Sequence, residues 1–495
     1  MMTAAKQITT GNDGLDAIMH GGLPANQLYL LEGIPGSGKT TLSLQFLRCG
    51  VLLGEKTLYI TLSETKRELA VVATSHGWDI DDFTILELSA MGDVFGEGQE
   101  QSVLHPWEIE LSETVKLIQA EVDRVNPSRV VFDSLSELRL LAQDTLRYRR
   151  QVLALKQYFA SRDVTVILVD DMSGAADGTS SHLHSLCHGV ITLDRLTLDF
   201  GAARRRLQVQ KLRGVDFVAG YHDMNIRKGG LDIYPRLIAA DHHTSYVGEP
   251  VPSGVAELDS LINGGPLRGT CTLITGPAGT GKTTIALQYA HAACERGECA
   301  TIYEFDERIG TLEARAKAFG LDIQKHIDAG CLVIHQIDPA EQSPGEFATR
   351  VRRDVQDRGA RMIIIDSLNG YLSAMPQEQQ LILQMHELLS YLNQQGVLTL
   401  LINPQQGLLG TMASNLNISY IADAVMMLRF FEADGRIRKA ISIIKNRAGP
   451  HEDAIREFRI DAHGVRVGEP LTAFKGVLTG TPEYTGERAP LMEDR

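Results

Sequence analysis

One eight-residue stretch occurs twice, and it constrains the fold more than any other feature of the chain. Gly33-Ile34-Pro35-Gly36-Ser37-Gly38-Lys39-Thr40 and Gly276-Pro277-Ala278-Gly279-Thr280-Gly281-Lys282-Thr283 both fit G-x-x-x-x-G-K-[ST], the phosphate-binding loop. Glycines let successive backbone N–H groups turn toward one anion. The helix that follows aims its N-terminal dipole at the same point. Each loop follows an apolar strand (Gln27–Glu32, Thr270–Thr275) and opens an apolar helix (Thr41–Leu47, Thr284–Ala290), as the motif requires. Gly36, Ser37, Gly38, Lys39, Thr40 and Thr41 are therefore expected to cradle the phosphates of ATP in the first copy. In the second copy Gly279, Thr280, Gly281, Lys282, Thr283 and Thr284 take that part. Lys39 and Lys282 would reach the β- and γ-phosphates, and Thr40 and Thr283 would hold Mg²⁺.

The duplication extends beyond the loops. Gly11 and Gly254, Leu15 and Leu258, Asp16 and Asp259, Gly21-Gly22 and Gly264-Gly265, and Glu64 and Glu307 all share the 243-residue offset that separates Lys39 from Lys282. Two copies of this length are two domains, too few and too long for a solenoid. The polar run His242–Val251, with Gly248-Glu249-Pro250, marks the boundary, giving residues 1–245, 246–482 and a short tail 483–495.

Within each copy apolar strands alternate with helices, the pattern of a doubly wound, mainly parallel α/β sheet with right-handed crossovers. Lys56–Thr61 and Ala300–Phe305 read as second buried strands, running into Ser63-Glu64 and Asp306-Glu307 at the rim where such sheets bind ligands. A carboxylate there would orient or deprotonate an attacking water, so Glu64 and Glu307 are catalytic candidates. Arg129–Asp133 and Arg361–Asp366 are apolar strands ending in Asp, which places Asp133 and Asp366 beside the magnesium. Helices Leu146–Ser161 and Gln379–Gln394 then lead to strands Val164–Val169 and Val397–Ile402.

Each copy ends in a more antiparallel-looking part, in which one strand finishes in Lys-x-Arg: Lys211 and Arg213, then Lys445 and Arg447. Far in sequence from their own loops, these cations suit a finger that reaches a neighbouring subunit's nucleotide and stabilises the transferring phosphoryl group. Arg204-Arg205-Arg206 reads as a solvated or subunit-facing edge. His182, His184 and His188 share a polar loop without the Cys or acidic ligand of a zinc site, and Cys294 and Cys299 read as unpaired thiols. Ser89–Glu110 reads as a surface loop.

Composition narrows the class. A formal net charge of −14 argues against a protein coating nucleic acid, although it leaves room for a local basic groove. Six cysteines without C-x-x-C point to a reducing, cytoplasmic setting, and nothing in the sequence suggests secretion or membrane spanning.

The tandem loops, the Lys-x-Arg strand ends and Ala454-Ile455-Arg456-Glu457-Phe458 after the second of them together resemble the KaiC family of circadian clock proteins, from about residue 8 to about residue 482. The resemblance implies two RecA-like domains in a hexameric double ring, with ATP between subunits in both tiers. It further implies slow hydrolysis and serine/threonine autophosphorylation in the second tier. The family's pair of catalytic carboxylates falls on Ser63 and Glu64, and on Asp306 and Glu307. Its phosphoacceptor pair falls on Ser419 and Tyr420, with tyrosine where the family has threonine. Its fingers fall on the two Lys-x-Arg pairs, and the tail after Pro482 is shorter than the family's partner-recruiting tail. The expectation is a cytoplasmic, homohexameric ATPase and serine autokinase with regulatory protein partners. Two alternatives stay open: a RecA-like ATPase that assembles on DNA, and a nucleotide-held scaffold without kinase activity.

Overall fold

The computed structural model describes residues 6–88, 106–142, 144–172, 179–197, 201–372, 378–405, 420–433, 435–477 and 482–486. By contacts the chain divides into two compact units, Met1–Arg236 and Leu237–Arg495.

Each unit is built on one nine-stranded sheet. The first contains β1 (Leu28–Gly33), β2 (Thr57–Thr61), β3 (Thr84–Glu87), β4 (Arg129–Asp133), β5 (Thr165–Asp171), β6 (Gly189–Leu196), β7 (Arg204–Leu212), β8 (Tyr221–Arg227) and β9 (Gly230–Tyr234), in the order β3-β2-β4-β5-β1-β6-β7-β8-β9. The second contains β10 (Cys271–Gly276), β11 (Cys299–Glu304), β12 (Leu332–Gln336), β13 (Ala360–Asp366), β14 (Leu398–Pro404), β15 (Ala424–Ala433), β16 (Arg436–Asn446), β17 (Arg456–Asp461) and β18 (Gly464–Pro470), in the corresponding order β12-β11-β13-β14-β10-β15-β16-β17-β18. Six strands of each sheet are parallel and the last three join antiparallel. These are tandem RecA-like α/β domains. The loop-bearing strands β1 and β10 lie inside the sheets, between β5 and β6 and between β14 and β15.

Strand alternation explains why both faces of each sheet are covered. Leu28 and Leu30 of β1 face one core with Val130, Phe132, Val152 and Leu155, whereas Tyr29 and Leu31 face another with Leu42, Phe46 and Val131. In the second unit Ile302 and Ile364 share a core with Ile285, and Tyr303 and Ile365 share one with Leu388. The helix after each loop, α1 (Lys39–Leu52) and α2 (Lys282–Glu295), is buried on most sides, as its unbroken apolar run predicts.

The antiparallel end was only half legible in the sequence. The hairpins β8–β9 and β17–β18 alternate polar and apolar residues over short spans, and they fold back behind the phosphate loops. A Cβ on Gly281 would lie 2.2 Å from Ile460 Cδ1, and one on Gly38 would lie 3.1 Å from Ile226 Cδ1. Both glycines also sit at φ near +110° (110° and 111°), where a side chain adds strain. No helix among the described residues is long and apolar enough to cross a membrane.

Candidate active sites at the two phosphate loops

Both loops pass from strand to helix with the lysine folded inward. Lys282 Nζ donates to the Pro277 carbonyl (2.8 Å) and is almost fully buried; burial lowers its pKa from 10.5 to about 8. Lys39 Nζ donates to the Gly33 carbonyl (2.9 Å) and ion-pairs with Asp171 at the end of β5 (2.7 Å). The matching position on β14 is Pro404, so only the first lysine has a carboxylate counter-ion there. Thr280 Oγ1 is spent on the Pro277 carbonyl (2.9 Å), while Ser37 Oγ is buried without a partner. Thr41 lies 3.4 Å from His76 Nε2, and Thr284 lines the second cavity. Gly36 and Gly279 take φ of 75° and 80°, conformations suited to a loop that turns its N–H groups inward.

Asp133 and Asp366, both buried, end β4 and β13 beside the rim strands β2 and β11 of their own sheets, and each precedes a cis peptide bond. Thr283 Oγ1 donates to Asp366 Oδ2 at 2.6 Å, which joins the two expected magnesium residues of the second copy. In the first copy Asp133 instead accepts from the Tyr59 hydroxyl (2.5 Å), and Tyr59 corresponds to Ile302 in the second. Burial raises the pKa of both aspartates.

The rim carboxylates differ most. In the first copy Thr61 Oγ1 accepts the Glu64 N–H (2.9 Å) and fixes the turn. The Glu64 carboxylate then meets the Thr40 hydroxyl of the phosphate loop. Its Oε2 is buried without a partner, and burial, followed by the charge of Asp133, pushes its pKa up to about 7. In the second copy both expected carboxylates are engaged elsewhere. Glu307 forms a two-oxygen ion pair with Arg315, and Asp306 accepts from Ser367 Oγ. The residue equivalent to Arg315 in the first copy is Val72, which cannot make such a pair.

Glu304 was not singled out by the sequence. It stands where the first copy has Thr61, its side chain accepts the N–H groups of Glu307 (2.9 Å) and Asp306 (3.3 Å), and its Oε2 is buried with no partner. It pairs in register with Asp366 on the adjacent strand, and burial and that charge hold its carboxyl well above the usual range. Glu304, Asp306, Glu307 and Asp366 all line one cavity of about 390 Å³, together with Lys282 and Thr283. That volume falls within the range of small-ligand sites.

The Lys-x-Arg pairs lie at the other end of their sheets. Lys211 pairs with Val190, beside Leu30 near the start of β1, whereas the phosphate loop leaves β1 at Gly33. Lys445 pairs with Val425, beside Leu273, and the second loop leaves β10 at Gly276. Here Lys211 donates to the Cys187 carbonyl (2.9 Å), Lys445 to Ala422 (2.6 Å), Arg213 to Ser185 (3.0 Å) and Arg447 to Tyr420 (3.1 Å). Burial, then the neighbouring arginine, lowers the pKa of both lysines. Tyr420 is exposed; Ser419 lies outside the described residues.

The triple arginine is not a solvated edge. Arg204 is buried, and Arg206 pairs with Asp194 (2.7 Å) over the Tyr221 ring. Arg205 reaches toward the Gly36 carbonyl (3.5 Å), and Lys439, in the equivalent register on β16, lines the second cavity. These are cations that each domain brings to its own loop. Of the histidine group, His184 pairs with Glu32 (2.9 Å) and His188 with the Arg213 carbonyl (2.7 Å).

The donor sets fit a magnesium nucleotide. Loops turned by positive-φ glycines, a lysine, a hydroxyl beside a buried aspartate, and orphaned oxygens of Ser37, Glu64 and Glu304 all call for an anion and a hard cation.

A family profile described as "ATPase: KaiC" matches residues 8–238 and 251–472. The chain is 26% identical over 485 residues to the circadian clock oscillator protein KaiC of Acaryochloris marina, a match covering 96% of this chain and 91% of that one. It is 26% identical over 487 residues to the circadian clock protein KaiC3 of Synechocystis, covering 97% and 95%. Against the KaiC of Synechococcus elongatus it is 27% identical over 492 residues, covering 97% and 92%.

Proposed function

The chain belongs to the KaiC family of ATPases, and from that premise we propose that it is a cytoplasmic homohexamer with two unequal nucleotide sites per subunit, hydrolysing ATP slowly and phosphorylating itself on serine. Residues 1–245 form one tier and 246–482 the other. The observation that carries this reading is the contrast at the rim: Glu64 set against the Thr40 hydroxyl of the phosphate loop in one copy, and an Asp306–Glu307 pair held by Ser367 and Arg315 in the other.

In the first domain Lys39 binds phosphate, Thr40 and Asp133 hold Mg²⁺, and Glu64 takes a proton from water. A base whose pKa lies near neutrality is matched to that task. In the second domain Lys282, Thr283 and Asp366 do the binding, and Asp306 and Glu307 orient the acceptor hydroxyl of Ser419. When bound, Mg·ATP supplies the transferable phosphoryl group. Lys211 and Arg213, and Lys445 and Arg447, reach the site of a neighbouring subunit; their distance along the sheet from their own loops supports this. Regulatory proteins would read the resulting state.

ATP turnover by Lys39→Ala and Lys282→Ala tests the nucleotide sites, and unchanged turnover in both would remove the proposal. Mass spectrometry after incubation with Mg·ATP, with Asp306→Asn as control, tests the kinase: phosphate is expected on Ser419 in the wild type. The tethering of Asp306 and Glu307 favours one second reading, in which the second tier holds nucleotide for assembly alone. Absence of phosphate alongside nucleotide-dependent hexamers would select it.

A further inference from the structure

The second phosphate-loop helix carries an unused set of metal donors at its far end. His291 and Glu295 are one turn apart on the last stretch of α2, and His326 comes from the short helix α3 (Gln324–Asp328). Their donor atoms all lie within 4.8 Å of one another, a combination found nowhere else among the described residues. His291 Nδ1 is 3.1 Å from His326 Nε2, and His326 Nε2 is 3.1 Å from Glu295 Oε1. His291 Nε2 is 3.8 Å from Glu295 Oε1. In a tetrahedral site with metal–nitrogen bonds of the zinc length, ligands lie about 3.3 Å apart; His326 Nε2 already stands at about that distance from both partners, while His291 faces its two partners with different ring nitrogens, so a turn of that ring completes the set.

We propose that His291, Glu295 and His326 form a site for a divalent transition-metal ion of the zinc type, with the fourth position open to water. Two imidazoles and one carboxylate are the donors such ions take. The carbonyl end of α2 adds a favourable negative field.

The duplication supplies a comparison within one chain. The equivalent residues of the first domain are Arg48, Leu52 and Phe83, none of them a ligand. There Phe83 fills its position as a buried apolar residue and Arg48 lies over the Trp78 ring (5.9 Å). The second domain exchanges that packing for a buried His326 held between a histidine and a carboxylate. The nearby thiols are poorer donors. Cys294 is buried and is not among the clustered donors. Lys325 forms an ion pair with Glu295 and competes with the metal for that carboxylate.

The test titrates chelator-stripped, full-length protein with Zn²⁺ by calorimetry in excess Mg²⁺, so that the phosphate-loop carboxylates do not report. One ion per chain is expected, with binding about tenfold or more weaker in His291→Ala and His326→Ala. Lys325→Met, which removes the competitor, should tighten binding, and Cys299→Ser should leave it unchanged. No uptake, uptake unaffected when both histidines are replaced, or uptake lost with Cys299 and unaltered by Lys325→Met would each overturn the site.

Discussion

Glu64 and Glu307 lie equally far along the chain from their phosphate loops, yet their carboxylates are committed differently. Glu64 faces Thr40, and Glu307 is held by Arg315. Glu64→Gln, made with Lys282→Ala so that only the first site is read, should lower ATP hydrolysis about a hundredfold or more. Because its pKa is raised to about 7, the proton-accepting form is depleted in mild acid; hydrolysis in the Lys282→Ala protein should rise with pH through neutrality, and Glu64→Gln should flatten that rise. Glu304 gives a second pH test. Its folded pKa lies above its unfolded one, so its contribution to stability is full below the ordinary carboxylate range and is lost as pH rises through the raised value. Denaturant unfolding of nucleotide-free protein should show stability falling across that window, and Glu304→Gln should reduce the slope. Equal repeat spacing made Glu64 and Glu307 legible from the sequence. Glu304 was not, because the first copy has Thr61 there, and only the sheet register brings it beside Asp366.

At the scale of elements, the parallel cores were readable because buried strands are short apolar runs and their helices are long. The helix Lys66–Ser75 starts at a capping box, Thr65 with Glu68. The hairpins behind the loops were obscure, since half of each strand faces water and little periodicity survives over five to seven residues. They nonetheless set how tightly the loop is backed. Gly281→Ala would press a methyl group into Ile460 at a left-handed φ of 111°. Equilibrium binding of an ATP analogue should therefore fall from two sites to one per chain, whereas an exposed change such as Gly248→Ala, with nothing near it and no left-handed φ, should leave both. The triple arginine was half legible for a related reason: successive residues of β7 point to opposite faces, so Arg204 is buried while Arg205 reaches toward the loop.

At the scale of the whole molecule, the register of Lys211 and Lys445 separates each finger from its own phosphate loop. If each finger serves a neighbour, Lys282→Ala and Arg447→Ala subunits should complement one another when mixed. Second-site activity would return in the mixture above either variant alone, and no recovery would argue for sites complete within one subunit. We propose that the two sites do different work. The most direct measurement incubates wild type, Lys39→Ala and Lys282→Ala with ATP labelled at the γ-phosphate and counts free phosphate and protein-bound phosphate together. Free phosphate should fall mainly with Lys39→Ala and protein-bound phosphate mainly with Lys282→Ala; both products following the same lysine would contradict it.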